Sequence, residues 1–442
     1  MMHLDVLDTK IPILGKPKIP SPLHKLDIDR HVRQFTSDST RILVDVDLKH
    51  VTEAIKKGKE LLSFELAGPR SKIYFDPSKL RCALVTCGGL CPGLNGIIRA
   101  IVLELYYRYG VQKIYGIKHG LQGFIPKYGH DIIDLTPDAV TDIIKKGGTF
   151  LGSSRGPQDI SEIIDCLERM NISVLFMIGG DGTLMAASKI ADEAMKQGLK
   201  ISVVGIPKTI DNDIYMVSRS FGFDTAVQVA TNAVRAAHNE SRGYPNGIGL
   251  IKLMGRHSGF IAATTALAQQ DVNFVLIPEV DFDLHGPNGF LEALEKRLKL
   301  RGHAVIVVAE GAGQKLFEKL EKKRDESGNI KLFNIGNFLK EEILSYFKKK
   351  NIDVSLKYID PSYIIRSLPA NANDHVFCNF LGRKAVHAAM AGKTKLLIGH
   401  WNNQFVHIPM SASAGKRKQI DPKGIMWRSV LGATGQGSLK NE

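Results

Sequence analysis

The sequence has 442 residues, of which 44% are hydrophobic and 24% are charged, and its formal net charge is +14. This length exceeds what one simple hydrophobic core accommodates and predicts two or three domains. The composition is ordinary for a soluble globular protein, and no apolar run reaches the roughly 18 residues that a membrane span needs. Because the first residues also lack the layout of a signal peptide, we expect an intracellular protein without a membrane partner.

The positive charge raises the question of a nucleic-acid partner. The basic residues are spread along the chain, and short runs such as KRK at 416–418 are typical of solvated helix or loop faces. No nucleic-acid motif accompanies them, so we predict no nucleic-acid partner. Small anionic substrates explain the charge more simply, and surface solubility is a second explanation.

Five cysteines are an odd number, which favours reduced thiols over a disulfide framework in a chain of this length. Cys87 and Cys91 are four residues apart, but no second Cys or His pair nearby completes a zinc site. The sequence therefore predicts buried or semi-buried structural thiols.

In chain order, residues 1 to about 75 are dotted with Pro and Lys, which predicts an extension or flap. From residue 80 onward short apolar runs alternate with helical stretches, which predicts βαβ units and a largely parallel sheet. Ligands of such sheets bind beyond the carboxyl ends of the strands. The charged segment 319–332 predicts an exposed turn or insertion. The predicted helices cover residues 94–109, 183–197, 224–239, 258–270, 289–300 and 337–349.

The first glycine-rich turn is TCGGLCPGLNGIIRA at residues 86–100. Gly88 and Gly89 permit a tight turn and the close approach of a ligand, and the helix that follows offers its amide end to a phosphate. The alternative is an ordinary strand-to-helix turn, which a Gly-Gly pair alone would favour.

The second glycine-rich turn is IGGDGTLMAA at residues 178–187, where Thr183 is suited to capping the helix. Asp181 is unusual at a phosphate site, because a carboxylate repels phosphate. A bound Mg²⁺ would resolve that conflict, since the ion prefers carboxylate and phosphate oxygens together. The alternative is that Asp181 merely caps the helix.

The stretch GIPKTIDND at residues 205–213 places several polar side chains directly after an apolar strand. Lys208 offers a point charge for phosphate, Thr209 a hydroxyl, and Asp211 and Asp213 a base and a second acid. The alternative is a polar turn with a local side-chain hydrogen bond.

Three further segments carry cations that suit anion binding, although each side chain taken alone is more often a surface residue. These are GGTFLGSSRG with Arg155, KLMGRHSGFIAA with Arg256, and KYIDPSYIIRS with Lys357, Tyr363 and Arg366. Glycine-rich strand ends, three acids and scattered cations together describe phosphoryl transfer, in which a protein positions groups and neutralises charge. The pattern GxxxxGK[ST] is absent, which excludes a P-loop enzyme.

These motifs resemble one family, the 6-phosphofructokinases. The order GGLCPGLN, GGTFLGSSR, GGDGT, PKTIDND, FGFDTA, MGRHSGF, PEVDF, AEG and YIDPSYIIR is the family's order, from about residue 80 to residue 392. The chain looks most similar to the long ATP-dependent branch, which is related to the pyrophosphate-dependent enzymes. The resemblance implies ATP-dependent phosphorylation of the 1-hydroxyl of fructose 6-phosphate.

The resemblance also implies an α/β fold of two similar Rossmann-like lobes, with largely parallel sheets, flanking helices and an active site in the cleft between the lobes. The implied divisions are an N-terminal extension (1–78), a nucleotide-binding lobe (79–222, with a returning segment at about 366–400), a sugar-phosphate lobe (223–365) and a C-terminal extension with a basic tail (401–442).

Carried over to this sequence, the resemblance makes Asp211 the general base, with Asp181 holding Mg²⁺ and Asp213 supporting that site. The residues implied for the nucleotide are Gly88, Arg155, Gly180, Asp181, Gly182 and Thr183. Those implied for the sugar and its 6-phosphate are Thr209, Asp211, Met254, Gly255, Arg256, Glu310, Lys357, Tyr363 and Arg366. From the charge pattern we expect Lys208 and Arg155 to stabilise the moving phosphoryl group.

Two positions bear on the phosphoryl donor. Pyrophosphate-dependent relatives carry a second Asp where this chain has Gly182, and that carboxylate would repel the α-phosphate of ATP. They also carry a Lys at the position of Lys208, where short ATP-dependent enzymes have Gly. We predict ATP, because a steric and like-charge block excludes a donor whereas a lysine serves either one; pyrophosphate is the alternative.

The short enzymes have an arginine where this chain has Gly247, so another cation must act there, and the family builds its sugar site across a subunit interface. We therefore expect a homo-oligomer, a dimer or tetramer, in the cytoplasm. A dinucleotide-dependent oxidoreductase is disfavoured because GGLCPGLNG lacks the GxGxxG spacing. A non-catalytic scaffold is disfavoured by the intact set of Asp181, Asp211 and Asp213.

Overall fold

The structure is a computed structural model that describes residues 7–26, 35–318 and 330–441. Most of the predicted turn or insertion at 319–332 therefore lies outside the described residues. The strands are β1 (Ile19–Pro20), β2 (Arg41–Leu43), β3 (Ser63–Leu66), β4 (Lys72–Ile73), β5 (Arg81–Thr86), β6 (Lys113–Ile117), β7 (Ile132–Asp134), β8 (Val174–Gly179), β9 (Ser202–Pro207), β10 (Gly247–Leu253), β11 (Phe274–Leu276), β12 (His303–Ala309), β13 (Ser355–Ile359), β14 (Leu396–Trp401) and β15 (Gln404–Pro409).

Most of the connections between these strands contain helices. The α-helices are α1 (Leu48–Lys56), α2 (Leu94–Leu103), α3 (Ile160–Arg169), α4 (Asp181–Lys196), α5 (Phe223–Arg242), α6 (Phe260–Gln269), α7 (Phe290–Arg301), α8 (Ile335–Lys349), α9 (Ala372–Met390), α10 (Met410–Ser413) and α11 (Ile425–Thr434).

The chain forms two compact units. The first unit contains the described residues up to Thr209 together with 214–222 and 368–416. The second contains 210–213, the described part of 223–367, and 417–441. The chain therefore passes from the first unit to the second directly after Thr209 and returns after Asp213.

The first unit is built on a nine-stranded sheet in the order β2-β3-β15-β14-β9-β8-β5-β6-β7. Its central strands, from β14 to β6, are parallel, whereas β15, β3, β2 and β7 are antiparallel to their neighbours. The apolar side chains of α3 and α4 pack with those of the central strands in one core. Every residue of β8 and β9 is buried, as expected for strands in the middle of a covered parallel sheet.

The second unit is built on a four-stranded parallel sheet in the order β11-β12-β10-β13. Its core is formed by the sheet with apolar side chains of α7 and α8, among them Phe290, Leu294, Leu339 and Phe347. Leu439, close to the end of the chain, lies in the same core. The C-terminal segment is thus an integral part of this unit.

The α/β fold with largely parallel sheets and flanking helices is confirmed. Five of the predicted helices are present with ends that differ from the predicted ones by at most three residues. The helical stretch predicted over 94–109 is present over its full length, as an α-helix to Leu103 followed by a π-helix over Glu104–Tyr109. This wider turn accompanies the burial of Glu104, whose carboxylate accepts a hydrogen bond from Arg383 Nε at 3.0 Å.

All five cysteines are buried and none forms a disulfide, which confirms the prediction of buried thiols. Burial raises the pKa of the Cys87 thiol to about 12, so it stays protonated at neutral pH. Among the described residues, no helix combines the length and apolarity that crossing a membrane requires.

Candidate active site

The turn after β5 is fastened to the loop that precedes Arg155. Gly88 has φ +82°, a left-handed conformation that favours glycine. Its amide donates to the carbonyl of Ser154 at 3.1 Å, and its own carbonyl accepts from Ser153 Oγ at 2.6 Å. Two glycine-rich segments that are far apart in sequence therefore meet here, and the exposed Arg155 follows directly.

The second glycine-rich turn joins β8 to α4. Gly180 is the N-cap of α4 and Asp181 is its first residue, so the prediction that Thr183 caps this helix is wrong, as is the alternative that Asp181 does. Thr183 is buried in the first turn, where its side chain covers Gly179: a Cβ on that glycine would lie 2.2 Å from Thr183 Oγ1.

Asp181, the predicted magnesium ligand, is the first residue of α4. Its side chain is partly exposed, and its Oδ1 accepts a hydrogen bond from the Gly415 amide at 2.8 Å. Within the described ranges, no group of three or more His, Cys, Asp or Glu residues forms a site that protein ligands alone could complete. Mg²⁺ needs only one or two carboxylates when substrate phosphates and water supply the other oxygens. Asp181 therefore fits a magnesium ion that arrives with a nucleotide.

Lys208 connects the two glycine-rich turns. Its backbone amide donates to the Gly179 carbonyl at 2.9 Å, and its Nζ donates to the Gly89 carbonyl at 2.5 Å. A Cβ on Gly88 would lie 3.4 Å from this Nζ. The predicted cation thus lies between the two turns, bonded to a backbone carbonyl of each. Thr209 follows it, with its carbonyl accepting from Ser220 Oγ at 2.8 Å.

Asp211 and Asp213 lie in the second unit, on either side of a left-handed residue. Asn212 has φ +53°, a conformation that Asn tolerates better than most side chains, which gives a physical reason for Asn between the acids. The carboxylate of Asp213 accepts from Arg417 Nη1 at 2.8 Å, and its carbonyl accepts from the Lys418 amide at 2.8 Å. The Asp211 carbonyl is 3.4 Å from Ser258 Oγ.

The carboxyl of Asp211 titrates far from its ordinary range. Burial raises its pKa, and the negative charges of Asp213 and Glu310 raise it further, to about 8. A hydrogen bond from the Arg256 backbone and the positive charge of Arg417 oppose that rise. A carboxylate with a raised pKa is a stronger base, which is the property that proton abstraction from a hydroxyl requires.

Met254, Gly255 and Arg256 follow the carboxyl end of β10, and Glu310 follows the neighbouring strand β12. Gly255 has φ +132°, and a Cβ there would lie 2.6 Å from the Ser258 carbonyl, so only glycine fits this turn. The Glu310 amide donates to the Leu253 carbonyl at 2.9 Å, which ties the two strand ends together.

The surroundings of Glu310 are rich in cations. Burial raises the pKa of Glu310, whereas the charges of Lys252, Arg256 and Arg366 lower it. Arg366 also stacks on the ring of Tyr363, with 5.0 Å between the guanidinium carbon and the ring centroid. The structure therefore brings Arg256, Glu310 and Arg366 together with Asp211.

Within one chain, Lys357 lies apart from the cluster of Asp211, Arg256, Glu310 and Arg366. It is in β13, the edge strand, opposite Gly249 of β10, and its Nζ is 4.7 Å from the centre of the Tyr244 ring. Met254 is five residues beyond Gly249, about 16 Å along the sheet at 3.3 Å per residue. Gly247 cannot carry a side chain in this conformation either, because a Cβ would lie 1.9 Å from the Ser241 carbonyl.

Comparison with known proteins identifies the family. The phosphofructokinase family model matches residues 81–389. The chain belongs to the phosphofructokinase family. The ATP-dependent 6-phosphofructokinase of Borreliella burgdorferi is 53% identical to it, over 98% of this chain and 98% of that protein. The ATP-dependent 6-phosphofructokinase of Amycolatopsis methanolica is 45% identical, over 98% of this chain and 96% of its own length.

Solved structures of low sequence identity share the fold. The crystal structure of a pyrophosphate-dependent phosphofructokinase from Marinobacter aquaeolei has a TM-score of 0.66 and 22% identity, and covers 81% of this chain and 92% of that one. The family is one of phosphotransferases, so this chain is an enzyme of that class.

Nothing in the local sequence predicts a site role for the C-terminal segment. Lys416 and Arg417 are exposed, as expected for a solvated face, but Arg417 also pairs with Asp213, and Lys418 is half-buried. Burial lowers the pKa of Lys418 to about 8, against the effect of Asp213, and its Nζ lies 5.0 Å from the centre of the Phe260 ring. The chain separation of 204 residues between Asp213 and Arg417 explains why no short motif contains this pair.

Proposed function

We propose that this protein transfers the γ-phosphoryl group of ATP to the 1-hydroxyl of fructose 6-phosphate and releases fructose 1,6-bisphosphate and ADP. The observation that carries the proposal is the match over nearly the whole chain to ATP-dependent 6-phosphofructokinases, and the Asp211 carboxyl beside Asp213 and Glu310 supplies a candidate base. The names of the relatives, ATP-dependent 6-phosphofructokinases of 53% and 45% identity, support ATP as the donor. The direct test is whether purified protein forms ADP and fructose 1,6-bisphosphate in equal amounts.

In the proposed mechanism, Asp211 takes the proton of the 1-hydroxyl as the oxygen attacks the γ-phosphorus of ATP. The bond from that phosphorus to the oxygen it shares with the β-phosphate breaks, and ADP leaves. Lys208, with Arg155, stabilises negative charge on the transferred group.

The sugar is held by side chains and backbone of the second unit. We propose that Arg256 and Arg366 bind the anionic parts of fructose 6-phosphate, while Glu310 accepts hydrogen bonds from its hydroxyls. Met254, Gly255 and Tyr363 shape the rest of this site, and Thr209 contacts the sugar near the transferring group. Positioning of this kind supplies much of the rate enhancement of a phosphotransferase.

For the metal, we propose Mg²⁺ held by Asp181, with Asp213 supporting the site. A bound Mg²⁺ would supply charge neutralisation for the phosphates. Gly88, Gly180, Gly182 and Thr183 lie in the two turns that we assign to the nucleotide phosphates. Helix α4 begins at Asp181, and the amides of a helix's first turn favour a bound phosphate.

The proposal of ATP over pyrophosphate predicts the effect of Gly182→Asp. A Cβ on Gly182 would meet no other atom within 4 Å, and this exposed position is in the first turn of α4, where acids are favourable. We therefore expect a folded variant whose new carboxylate repels the nucleotide. The kcat/KM for Mg-ATP should fall by about tenfold to 10²-fold, the worth of one like charge at close range.

The matched control is Gly182→Asn, which has the same shape without the charge and should keep more of the ATP-dependent activity. Steady-state assays of ADP release at varied Mg-ATP measure both variants. Unaltered kcat/KM for Mg-ATP in Gly182→Asp would reject Gly182 as the residue that admits ATP.

We also propose that the enzyme is a cytoplasmic homo-oligomer in which a neighbouring subunit completes the sugar site. The placement of Lys357 supports this, because within the chain it stacks on Tyr244 in an edge strand, away from the carboxyl end of β10. A cation from a second copy would take the place of the side chain that Gly247 lacks. The proposal commits to Lys357 as that cation, in a dimer or tetramer.

Mixing the subunits of two inactive variants tests whether two copies of the chain share a site. Lys357→Met and Asp211→Ser should each be inactive alone, whereas a mixed dimer contains one intact site that takes Asp211 from one copy and Lys357 from the other. When equal amounts of the two variants dissociate and reassociate at random, half of the dimers are mixed, and each mixed dimer has one intact site of two. Roughly a quarter of the wild-type activity should then return. If mixed oligomers form, as seen by native mass measurement, and no activity returns, Lys357 does not serve a neighbouring site.

A further inference from the structure

The segment Arg417–Ile420 lies against the two acids of the PKTIDND motif. Arg417 Nη1 donates to Asp213 Oδ2 at 2.8 Å, and the Lys418 amide donates to the Asp213 carbonyl at 2.8 Å. Asp213 thus receives two hydrogen bonds from two consecutive residues, one on its side chain and one on its backbone. This fixes both the position and the orientation of the residue.

The same segment is fastened at its other end to the turn that carries Arg256. The Ile420 amide donates to Glu279 Oε1 at 2.9 Å, and the Gly259 amide donates to the same carboxylate at 3.0 Å. Gln419 Nε2 donates to the His257 carbonyl at 3.0 Å. Arg417–Ile420 therefore joins two predicted parts of the site, the acids at 211–213 and the turn at 254–259.

The remainder of the C-terminus anchors this segment. Helix α11 packs against α6, and its Trp427 and Val430 are buried. Gln436 uses its side-chain amide to bond both the amide and the carbonyl of Val275, at 2.7 and 3.3 Å. Arg417 lies eight residues before this anchored helix, and its own side chain is 35% exposed.

Charge explains why a cation is needed at this place. The Asp213 side chain is only 6% exposed, and a buried carboxylate is costly unless a cation and hydrogen bonds compensate it. Asp213 is close enough to Asp211 for its negative charge to raise the pKa of that carboxyl, so the buried surroundings already contain a second acid. Because only Asn212 separates Asp213 from Asp211, a displaced Asp213 carries the proposed base with it.

We propose that Arg417 is a positioning residue of the active site, which holds the Asp213 carboxylate and, through the left-handed turn at Asn212, sets the Asp211 carboxylate against the reacting hydroxyl. The C-terminal segment then contributes directly to the geometry of the active site. This inference rests on the proposed phosphotransferase function, but it does not depend on which phosphoryl donor is used.

The test compares Arg417→Met, Arg417→Lys and Lys423→Met in full-length protein, with kcat and KM measured for both substrates. Lys423→Met is the matched control, because it removes an exposed cation six residues further along the chain. Arg417→Met should lower kcat by about 30-fold, within the range of about 10²-fold that a misplacement of 1 Å costs, while either KM changes less than about threefold. Arg417→Lys should recover part of the loss, and Lys423→Met should match wild type.

Two further measurements separate positioning from a general loss of structure. Added guanidinium ion should restore part of the kcat of Arg417→Ala, which a misfolded variant would not show. In a double-mutant cycle, Arg417→Met should have little additional effect in an Asp213→Asn background, because both changes remove the same contact.

Each outcome decides between distinct conclusions. Normal kcat in Arg417→Met, or a raised KM for Mg-ATP at unchanged kcat, overturns the positioning role; the second result would make Arg417 a substrate clamp. Loss of kcat without guanidinium rescue and with full additivity to Asp213→Asn also overturns it. Inactivity of the wild type with every phosphoryl donor would instead reject the proposed function.

Discussion

Asp211→Ser is expected to lower kcat by about 10²–10⁴-fold with little change in the KM for fructose 6-phosphate. The serine hydroxyl cannot accept the proton of the 1-hydroxyl at neutral pH, so the loss falls on the chemical step. Steady-state assays at saturating Mg-ATP measure this. Asp353→Ser is the matched control, because it removes an exposed carboxylate from the same unit and should leave kcat unchanged.

The pH dependence gives a second signature of the same residue. A base must be deprotonated to act, and the pKa of Asp211 is raised to about 8, so the kcat/KM of the wild type should fall as the pH drops below that value. In Asp211→Ser the residual activity should not show this decrease at low pH. Near-normal turnover in the variant, or the same decrease at low pH as in the wild type, would remove Asp211 from the role of general base.

Lys208→Met is expected to lower kcat by about 10²–10³-fold, the usual loss when one stabiliser of developing charge is removed. Lys208 Nζ is held at 2.5 Å from the Gly89 carbonyl, between the two glycine-rich turns, and its side chain is buried. Methionine fills a similar volume without the charge, so the variant should fold. The effect should fall on kcat rather than KM, because the charge acts chiefly on the transferred phosphoryl group.

The controls for this prediction use cations in other surroundings. Lys200→Met removes an exposed lysine that follows α4 and should behave as wild type. Arg155→Met should show the same preference for kcat over KM, with a smaller loss because Arg155 is exposed. A pure KM effect in Lys208→Met would show that Lys208 binds the ground state and does not stabilise the transferred group.

The sequence predicts the fold and the glycine-rich turns well because both depend on local patterns. Alternation of buried strands with helices is a periodic signal, and turns such as the one at Gly88 need glycine for a backbone reason that is visible in the residue type. The sequence also singles out Asp211 and Asp213, because only Asn212 separates these two acids in one motif.

Other features depend on contacts between distant parts of the chain, which residue types do not report. Arg417 meets Asp213 across 204 residues, and its neighbours in sequence have the composition of an ordinary surface loop. The π-helix that follows α2 contains the buried Glu104, which bonds Arg383, 279 residues away in the chain. The capping role predicted for Thr183 failed by a shift of three residues, because the helix begins earlier, at Asp181.

The most direct measurement compares two phosphoryl donors with wild-type protein and fructose 6-phosphate. ADP release from Mg-ATP and orthophosphate release from Mg-pyrophosphate are measured side by side, with Asp211→Ser as the negative control. We predict rapid formation of fructose 1,6-bisphosphate with Mg-ATP and a much smaller kcat/KM with Mg-pyrophosphate. Both activities should be lost in Asp211→Ser. Turnover with Mg-pyrophosphate that exceeds turnover with Mg-ATP would contradict the proposed donor, and no turnover with either would contradict the proposed function.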